Sequence, residues 1–129
     1  MNTIFKNIYP RQVWTNDQYC KCKQPVYNNS SDKNYVAKPG ASEHQSGLVL
    51  DISTLNDGLT SSFKYNEEYK LISKYCMNYG FIIRYPIFGE KRTGIPYEPW
   101  HLRYVGEIAE DIYLSNLTLE EYLENNFTK

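Results

Sequence analysis

The chain has 129 residues, 14 of them basic and 15 acidic, and a formal net charge of -1. That length suits one domain with a single hydrophobic core, and the balanced, dispersed charge argues against a nucleic-acid-binding surface. No apolar run is long enough for a signal peptide at the start of the sequence or for a membrane span anywhere. We therefore expect a single-domain, monomeric protein with no nucleic-acid partner and no membrane segment.

The N-terminal part of the sequence carries the weakest structural signals. Pro10 favours a helix that begins after it, over residues 11–22. Residues 23–40 are dense in Pro, Asn, Ser, Asp and Gly, a composition typical of a loop. The three cysteines of the chain are Cys20, Cys22 and Cys76. Their spacing matches no zinc or redox motif, so they are interpreted as packed thiols or as one bridge between an N-terminal cysteine and the third.

The run GLVLDI, residues 47–52, predicts a strand because it is short and rich in Val, Ile and Leu. Successive side chains of a strand point to opposite faces. One face is predicted to hold Leu48, Leu50 and Ile52. The other holds Val49 and Asp51, so an acidic side chain is expected on the face turned away from the leucines.

A helix is predicted over residues 66–79, where apolar side chains recur at helical spacing after the turn-forming residues 56–62. Gly80 marks the end of this helix. The segment FIIRYPIF, residues 81–88, is rich in β-branched and aromatic side chains and predicts a second strand. Pro86 cannot donate a ladder hydrogen bond, which favours a position at an edge or an end of the sheet.

The segment GEKRTG, residues 89–94, is predicted to be a loop or hairpin connection that leads to a third strand, YEPWHLRY, residues 97–104. Pro99 disfavours helical geometry at the residue before it. The core face of this strand is predicted to hold Trp100, Leu102 and Tyr104. Alternation then directs His101 to the face opposite the core.

Two helical signals follow the third strand. One covers residues 107–115, and the other begins at Thr118, which forms the pattern of a capping box with Glu121. The order of elements along the chain is helix, strand, helix, strand, strand, helix. That order predicts an α+β domain in which helices flank a small, mostly antiparallel sheet.

The only two histidines of the chain, His44 and His101, lie near acidic residues. Catalytic zinc takes imidazole nitrogen and carboxylate oxygen from three protein side chains and keeps a fourth position open. His44, Asp51 and His101 could supply that set, with Glu98 as a base for the attacking water. Composition alone favours ordinary surface or core hydrogen-bonding groups, because the paired spacings of specific zinc motifs are missing.

Four segments of the sequence resemble the VanY-type D-alanyl-D-alanine carboxypeptidases, zinc peptidases with the signatures S-x-H-x-x-G-x-A-x-D and E-x-W-H. The segments are SEHQSGLVLD, YGFIIRYP, TGIPYEPWHLRYVG and TLEEYL. The resemblance covers residues 37–123. It implies the hedgehog/D,D-peptidase fold and one zinc ion per chain, held by His44, Asp51 and His101, with Glu98 as the catalytic base.

The resemblance also implies how residues 1–129 are organised, as one domain with a shortened N-terminal region, 1–36, and a catalytic core, 37–123. Members of the family carry an S-G-Y-R-S element upstream of the first zinc motif, and its Arg binds substrate and stabilises the oxyanion. The nearest match here is I-Y-P-R-Q. This match makes Arg11 the implied catalytic arginine, although most of the element is absent from the sequence.

The implied reaction is hydrolysis of the terminal D-alanyl-D-alanine bond of a peptidoglycan stem peptide, in wall remodelling or glycopeptide resistance. Ser42, Gln45 and Trp100 lie in the matching motifs and are assigned to substrate binding, with positioning or packing roles as equal alternatives. Tyr85 is assigned to substrate binding too, with a core ring as its alternative. The implied location is outside the cytoplasm, at the bacterial cell wall, or cytoplasmic if the chain is not exported.

Other functions fit the same residues at this point. One is a shortened module that binds zinc or wall peptides without cutting them. Another is a wall-lytic endopeptidase or a D,D-dipeptidase of the same fold. Arg84 and Arg103 also match family positions, and strand-face ion pairs are the favoured interpretation of both.

Overall fold

The computed structural model describes the strand Tyr9–Pro10 and residues 37–128. Its strands are β1 (Tyr9–Pro10), β2 (Val49–Ser53), β3 (Phe81–Tyr85) and β4 (Glu98–Tyr104). They form one antiparallel sheet in the order β1-β2-β4-β3. The helix predicted over residues 11–22, most of the loop predicted over residues 23–40, and Arg11 lie outside the described residues.

Helices account for most of the remaining described chain. The α-helices are α1 (Glu67–Tyr75), α2 (Glu90–Thr93), α3 (Ala109–Ser115) and α4 (Leu119–Phe127). Short 3-10 segments occupy Glu43–Ser46, Ser61–Tyr65, Cys76–Tyr79 and Gly106–Ile108. Among the described residues, no helix combines the length and apolar character needed to cross a membrane.

The α+β prediction is confirmed; the first and third predicted strands lie within two residues of β2 and β4, and the second begins with β3 but was predicted three residues too long. β3 is an edge strand that ends immediately before Pro86, as predicted. The predicted capping box is present, since Thr118 Oγ1 accepts a hydrogen bond from the N–H of Glu121 and the Glu121 carboxylate accepts one from the N–H of Thr118. The loop prediction for residues 89–94 is wrong in part, because that connection contains the one-turn helix α2.

Apolar side chains pack on both faces of the sheet, in two clusters. The first cluster contains Ile52, Phe63, Cys76, Trp100 and Leu102, with Ile83 and residues of α1 packed against it. The second contains Ile82, Ala109, Ile112, Leu119 and Tyr122, most of them from α3 and α4. The neighbouring residues Ile82 and Ile83 join different clusters because strand side chains alternate between faces.

The face predictions for β4 hold for Trp100 and Leu102, which are both in the first cluster. Tyr104 is different, because its ring is 44% exposed and packs edge-on against Phe81 at the end of the strand, with ring centroids 5.3 Å apart. Tyr104 is the last residue of β4, where its side chain is only partly covered. Cys76 is a free, buried thiol, which favours the packed-thiol interpretation for that residue, while Cys20 and Cys22 lie outside the described residues.

Gly80 ends the helical segment in a backbone conformation that requires glycine. Its φ is +80°, and a Cβ placed there would lie 2.6 Å from Tyr104 Cε2 and 3.2 Å from the Cα of Gly106. We expect Gly80→Ala to lower the free energy of unfolding by about 1–3 kcal/mol, because it combines left-handed strain with a clash. Chemical denaturation would measure the loss.

A matched control for this substitution is Gly94→Ala. Gly94 has a similar φ of +72° but open space around its Cβ position. Gly94→Ala introduces the backbone strain without a steric clash, so it should lower the free energy of unfolding by less than Gly80→Ala does. Equal losses in the two variants would contradict the proposed role of the close packing between Gly80 and Tyr104.

Candidate metal and active site

Three side chains that are distant in sequence converge at one end of the β2–β4 pair. His44 comes from the 3-10 segment Glu43–Ser46, which Ser42 caps by accepting the N–H of His44 at 3.3 Å. Gly47 ends the segment with a φ of +73° and turns the chain into β2. Asp51 of β2 is then paired directly with His101 of β4.

The convergence is tight enough for one ion. One ligand atom from each of His44, Asp51 and His101 lies within 4.8 Å of the other two. His44 Nε2 is 3.2 Å from Asp51 Oδ2, and His101 Nδ1 is 3.5 Å from Asp51 Oδ1. The two imidazole rings meet at a steep angle of 72° with centroids 5.1 Å apart, so their nitrogens face a shared space.

The donor set fits a zinc ion. Asp51 Oδ1 is buried and accepts no hydrogen bond from any described residue. A buried acceptor in that state is costly unless another group satisfies it, and a cation bound between the imidazoles would do so. Two imidazoles and one carboxylate are the ligand types of catalytic zinc sites with an open fourth position.

Glu98 reaches this site because of an irregularity in β4. Residues three apart on a regular strand point to opposite faces, yet the Glu98 carboxylate lies 3.2 Å from His101 Nδ1. The pairing of β3 with β4 shifts between Ile83 and Tyr85, so that Tyr85 pairs with Glu98. A bulge of this kind redirects a side chain, and it places the buried Glu98 carboxylate beside the candidate ligands.

The other residues of the sequence prediction occupy different positions. Tyr85 lies against His101 with ring centroids 4.8 Å apart, and burial, followed by the charge of Glu43, raises the pKa of its hydroxyl. Trp100 is buried in the first apolar cluster, where it packs, and its assignment to substrate binding stays a prediction. Gln45 Oε1 accepts the N–H of Gly40 at 2.8 Å, a contact that holds the loop before the 3-10 segment.

Sequence reasoning missed Glu43. Its Oε1 accepts a 2.7 Å hydrogen bond from Arg84 Nε and lies 3.3 Å from Arg103 Nη1, while its Oε2 lies 3.5 Å from His101 Nε2. Burial alone would raise the pKa of Glu43, but His101 and the two arginines lower it to about 2. The only signal in the sequence was an acidic residue next to a candidate ligand.

Arg84 forms the ion pairs that were predicted for it. Its Nη1 and Nη2 donate to the two carboxylate oxygens of Glu120 at 3.0 and 2.5 Å, and its side chain is 9% exposed. Burial would lower the pKa of Arg84, but the hydrogen bonds and charges of Glu120 and Glu43 raise it. The guanidinium therefore stays charged and connects α4 to the motif that carries His44.

We expect zinc binding to strengthen as the pH rises towards 9. Burial opposes a charged His101, but the carboxylates of Glu43, Glu98 and Asp51 raise its pKa to about 9 in the metal-free protein. Zinc requires the neutral ring and must displace a proton below that pH. One competing proton changes the apparent affinity by about tenfold per pH unit, which titrations with a competing chelator at several pH values would measure.

The same pKa predicts that the metal-free protein loses stability as the pH rises, whereas its affinity for zinc increases. The folded pKa of His101 lies above the unfolded value of 6.5. The contribution of protonated His101 to the free energy of unfolding is therefore fully present below about pH 6.5 and is lost as the pH rises through about 9. A zinc affinity that stayed constant across this range would contradict the protonated state of His101.

Comparison with known proteins agrees with this geometry. The family model described as VanY, D-alanyl-D-alanine carboxypeptidase, matches residues 6–107. A D-alanyl-D-alanine carboxypeptidase of Enterococcus faecalis is 48% identical over 124 residues, which are 92% of this chain and 45% of that protein. The bifunctional D-Ala-D-Ala dipeptidase and carboxypeptidase VanXYC of Enterococcus gallinarum is 44% identical over 95 residues, 70% of this chain and 50% of that protein. The chain thus spans half or less of the length of these relatives.

Solved structures with the same fold include the LdcB LD-carboxypeptidase, with a TM-score of 0.76 and 38% identity over 92% of this chain and 58% of that one. A mutant of the D,D-pentapeptidase VanY in complex with Zn(II) has a TM-score of 0.67 and 36% identity, covering 92% of this chain and 74% of that one. VanYB in complex with D-alanine-D-alanine has a TM-score of 0.69 and 35% identity, covering 97% of this chain and 75% of that one. The chain belongs to the VanY D-alanyl-D-alanine carboxypeptidase family.

Proposed function

We propose that this chain carries the active site of a zinc-dependent D,D-carboxypeptidase, which removes the terminal D-alanine from peptidoglycan stem peptides. The observation that carries the proposal is the position of Glu98. Its carboxylate lies 3.2 Å from His101 Nδ1, beside a cluster of two imidazoles and one carboxylate. A purely structural metal would not need a buried carboxylate at that place, whereas a metallohydrolase needs a base there.

His44, Asp51 and His101 would hold one zinc ion per chain. When bound, zinc polarises the scissile carbonyl and acidifies water at the site. Glu98 is placed to take a proton from the attacking water and to return it to the amine of the leaving D-alanine. Glu98 lies where water is partly excluded, which strengthens the electrostatic interactions of its carboxylate with nearby charges. Arg11 is proposed to stabilise the oxyanion.

The substrate assignment is supported by the names of relatives and neighbours, several of which are D-alanyl-D-alanine carboxypeptidases or a complex with D-alanine-D-alanine. We propose that the protein acts as a monomer on the bacterial cell wall, outside the cytoplasm. The proposed biological role is wall remodelling or glycopeptide resistance. Both roles use the same bond cleavage.

A second candidate is L,D-carboxypeptidase activity on the same wall polymer. It is supported by the likeness to the LdcB LD-carboxypeptidase, which has a TM-score of 0.76 and 38% identity. The two activities need the same metal and base. They differ in which stem peptide fits with its scissile bond at the metal.

Mass spectrometry of muropeptides incubated with the zinc-loaded protein tests these functions together. Conversion of pentapeptide stems to tetrapeptides supports the D,D-carboxypeptidase, and conversion of tetrapeptides to tripeptides supports the L,D-carboxypeptidase. Cleaved cross-links would indicate an endopeptidase, and cleavage of free D-alanyl-D-alanine would indicate a dipeptidase. Zinc binding with no product from any of these substrates would contradict the proposal and favour a non-catalytic binding module.

A further inference from the structure

Glu43 is a partly buried carboxylate that the proposed reaction does not use. Its side chain is 19% exposed and lies between two guanidinium groups and one imidazole. Oε1 faces Arg84 and Arg103. Oε2 lies 3.5 Å from His101 Nε2, and both of these atoms are buried without a hydrogen bond to any described residue. A small adjustment of either side chain would bring the two atoms into hydrogen-bond distance.

His101 therefore has a carboxylate at each of its ring nitrogens. Nδ1 faces Asp51 and Glu98, on the side of the candidate metal position, and Nε2 faces Glu43 on the other side. A histidine that binds zinc through one nitrogen commonly donates the N–H of the other to a carboxylate. That second contact selects the tautomer and fixes the rotation of the ring.

The Glu43 carboxylate is itself held from outside the motif. Arg84 donates Nε to Glu43 and both terminal nitrogens to Glu120, which belongs to α4. A planar guanidinium bound on two sides leaves its partners little freedom to rotate. The position of Glu43 is thus determined by β3 and α4 as well as by its own 3-10 segment.

We propose that Glu43 is a positioning residue, which accepts the Nε2 proton of His101 and so holds Nδ1 towards the metal. Arg84 and Glu120 fix the Glu43 carboxylate in that orientation. This inference rests on the proposed zinc site and adds a role for a residue that contacts neither the metal position nor the substrate in the proposed reaction.

Zinc affinity tests the role without any need for substrate. We expect Glu43→Gln to weaken zinc binding by about 10–100-fold, the usual effect of losing such an outer contact. Competition with a chromophoric chelator would measure it. The control is Glu124→Gln, which removes a charge of the exposed pair between Glu124 and Arg92 and should leave the affinity unchanged.

Glu43→Asp keeps the negative charge that faces Arg84 but moves the carboxylate away from His101. This second variant can therefore be tested even if Glu43→Gln does not fold. NMR of the zinc-loaded protein with labelled histidine gives a second measurement, and the two histidines of the chain make its assignment simple. We expect a protected Nε2–H resonance of His101 in the wild type that is lost in Glu43→Asp. A merely structural role would lower the melting temperature and leave both the zinc affinity and this resonance unchanged.

The outcomes separate this inference from the proposed function. Wild-type zinc binding with unaltered affinity and an unaltered His101 resonance in both Glu43 variants would overturn the inference alone. Weakened binding in the variants, together with no release of alanine by the wild type, would support the inference and overturn the proposed function. A wild-type chain that binds no zinc would overturn both.

Discussion

Glu98→Gln is expected to lower kcat for the release of D-alanine by about 10²–10⁴-fold, the usual contribution of a general base. Glutamine keeps the size of the side chain but cannot take a proton from water. Glu98 is placed beside the ligand set and is not part of it, so the variant should still bind zinc. Steady-state kinetics on a stem pentapeptide, with zinc content measured on the same sample, would check both statements.

A matched control for this variant is Glu67→Gln. Glu67 forms an exposed ion pair with Lys70 on α1, and its side chain is 74% exposed. We expect its kcat and zinc content to match those of the wild type. Release of D-alanine that persisted at the wild-type rate in Glu98→Gln would exclude Glu98 as the base and leave the proposed mechanism without a proton acceptor.

Much of the fold could be predicted from the sequence because its signals are local. Alternation along β4 predicted the opposite faces of Trp100 and His101, and the pairing of Thr118 with Glu121 predicted the start of α4. The short helix α2 was missed because its four residues, EKRT, are too few to show an apolar period. Sequence periodicity needs several turns before a helix can be distinguished from a polar loop.

The candidate site was less accessible, because its parts depend on long-range contacts. The motifs predicted the set His44, Asp51 and His101, and the structure brings these side chains together. The shifted pairing that directs Glu98 to the same side as His101 arises between two strands, so no local pattern contains it. The same holds for Glu43, whose contact with Arg84 joins residues 41 positions apart.

Removing the metal is expected to abolish hydrolysis and to lower the stability of the protein. Asp51 and Glu98 place two carboxylates beside His101 Nδ1 at the candidate metal position, and no described arginine or lysine forms an ion pair with either of them, whereas Glu43 is already paired with Arg84 and Arg103. A bound divalent cation would offset these negative charges and would bind only the folded chain. At free zinc of 100 times Kd the expected gain is about 2.7 kcal/mol.

Thermal melts with zinc and with a chelator would measure this difference, and His44→Ala supplies the control. That variant removes one of the three candidate ligands, and the His44 side chain is 12% exposed. Its melting temperature should therefore be the same with zinc and with chelator, and its hydrolysis should be lost. A wild-type chain that melted at one temperature in both conditions would contradict metal binding at this site. Because the proposed catalysis by Glu98 depends on an ion held beside it, that single result would also remove the basis for the reaction.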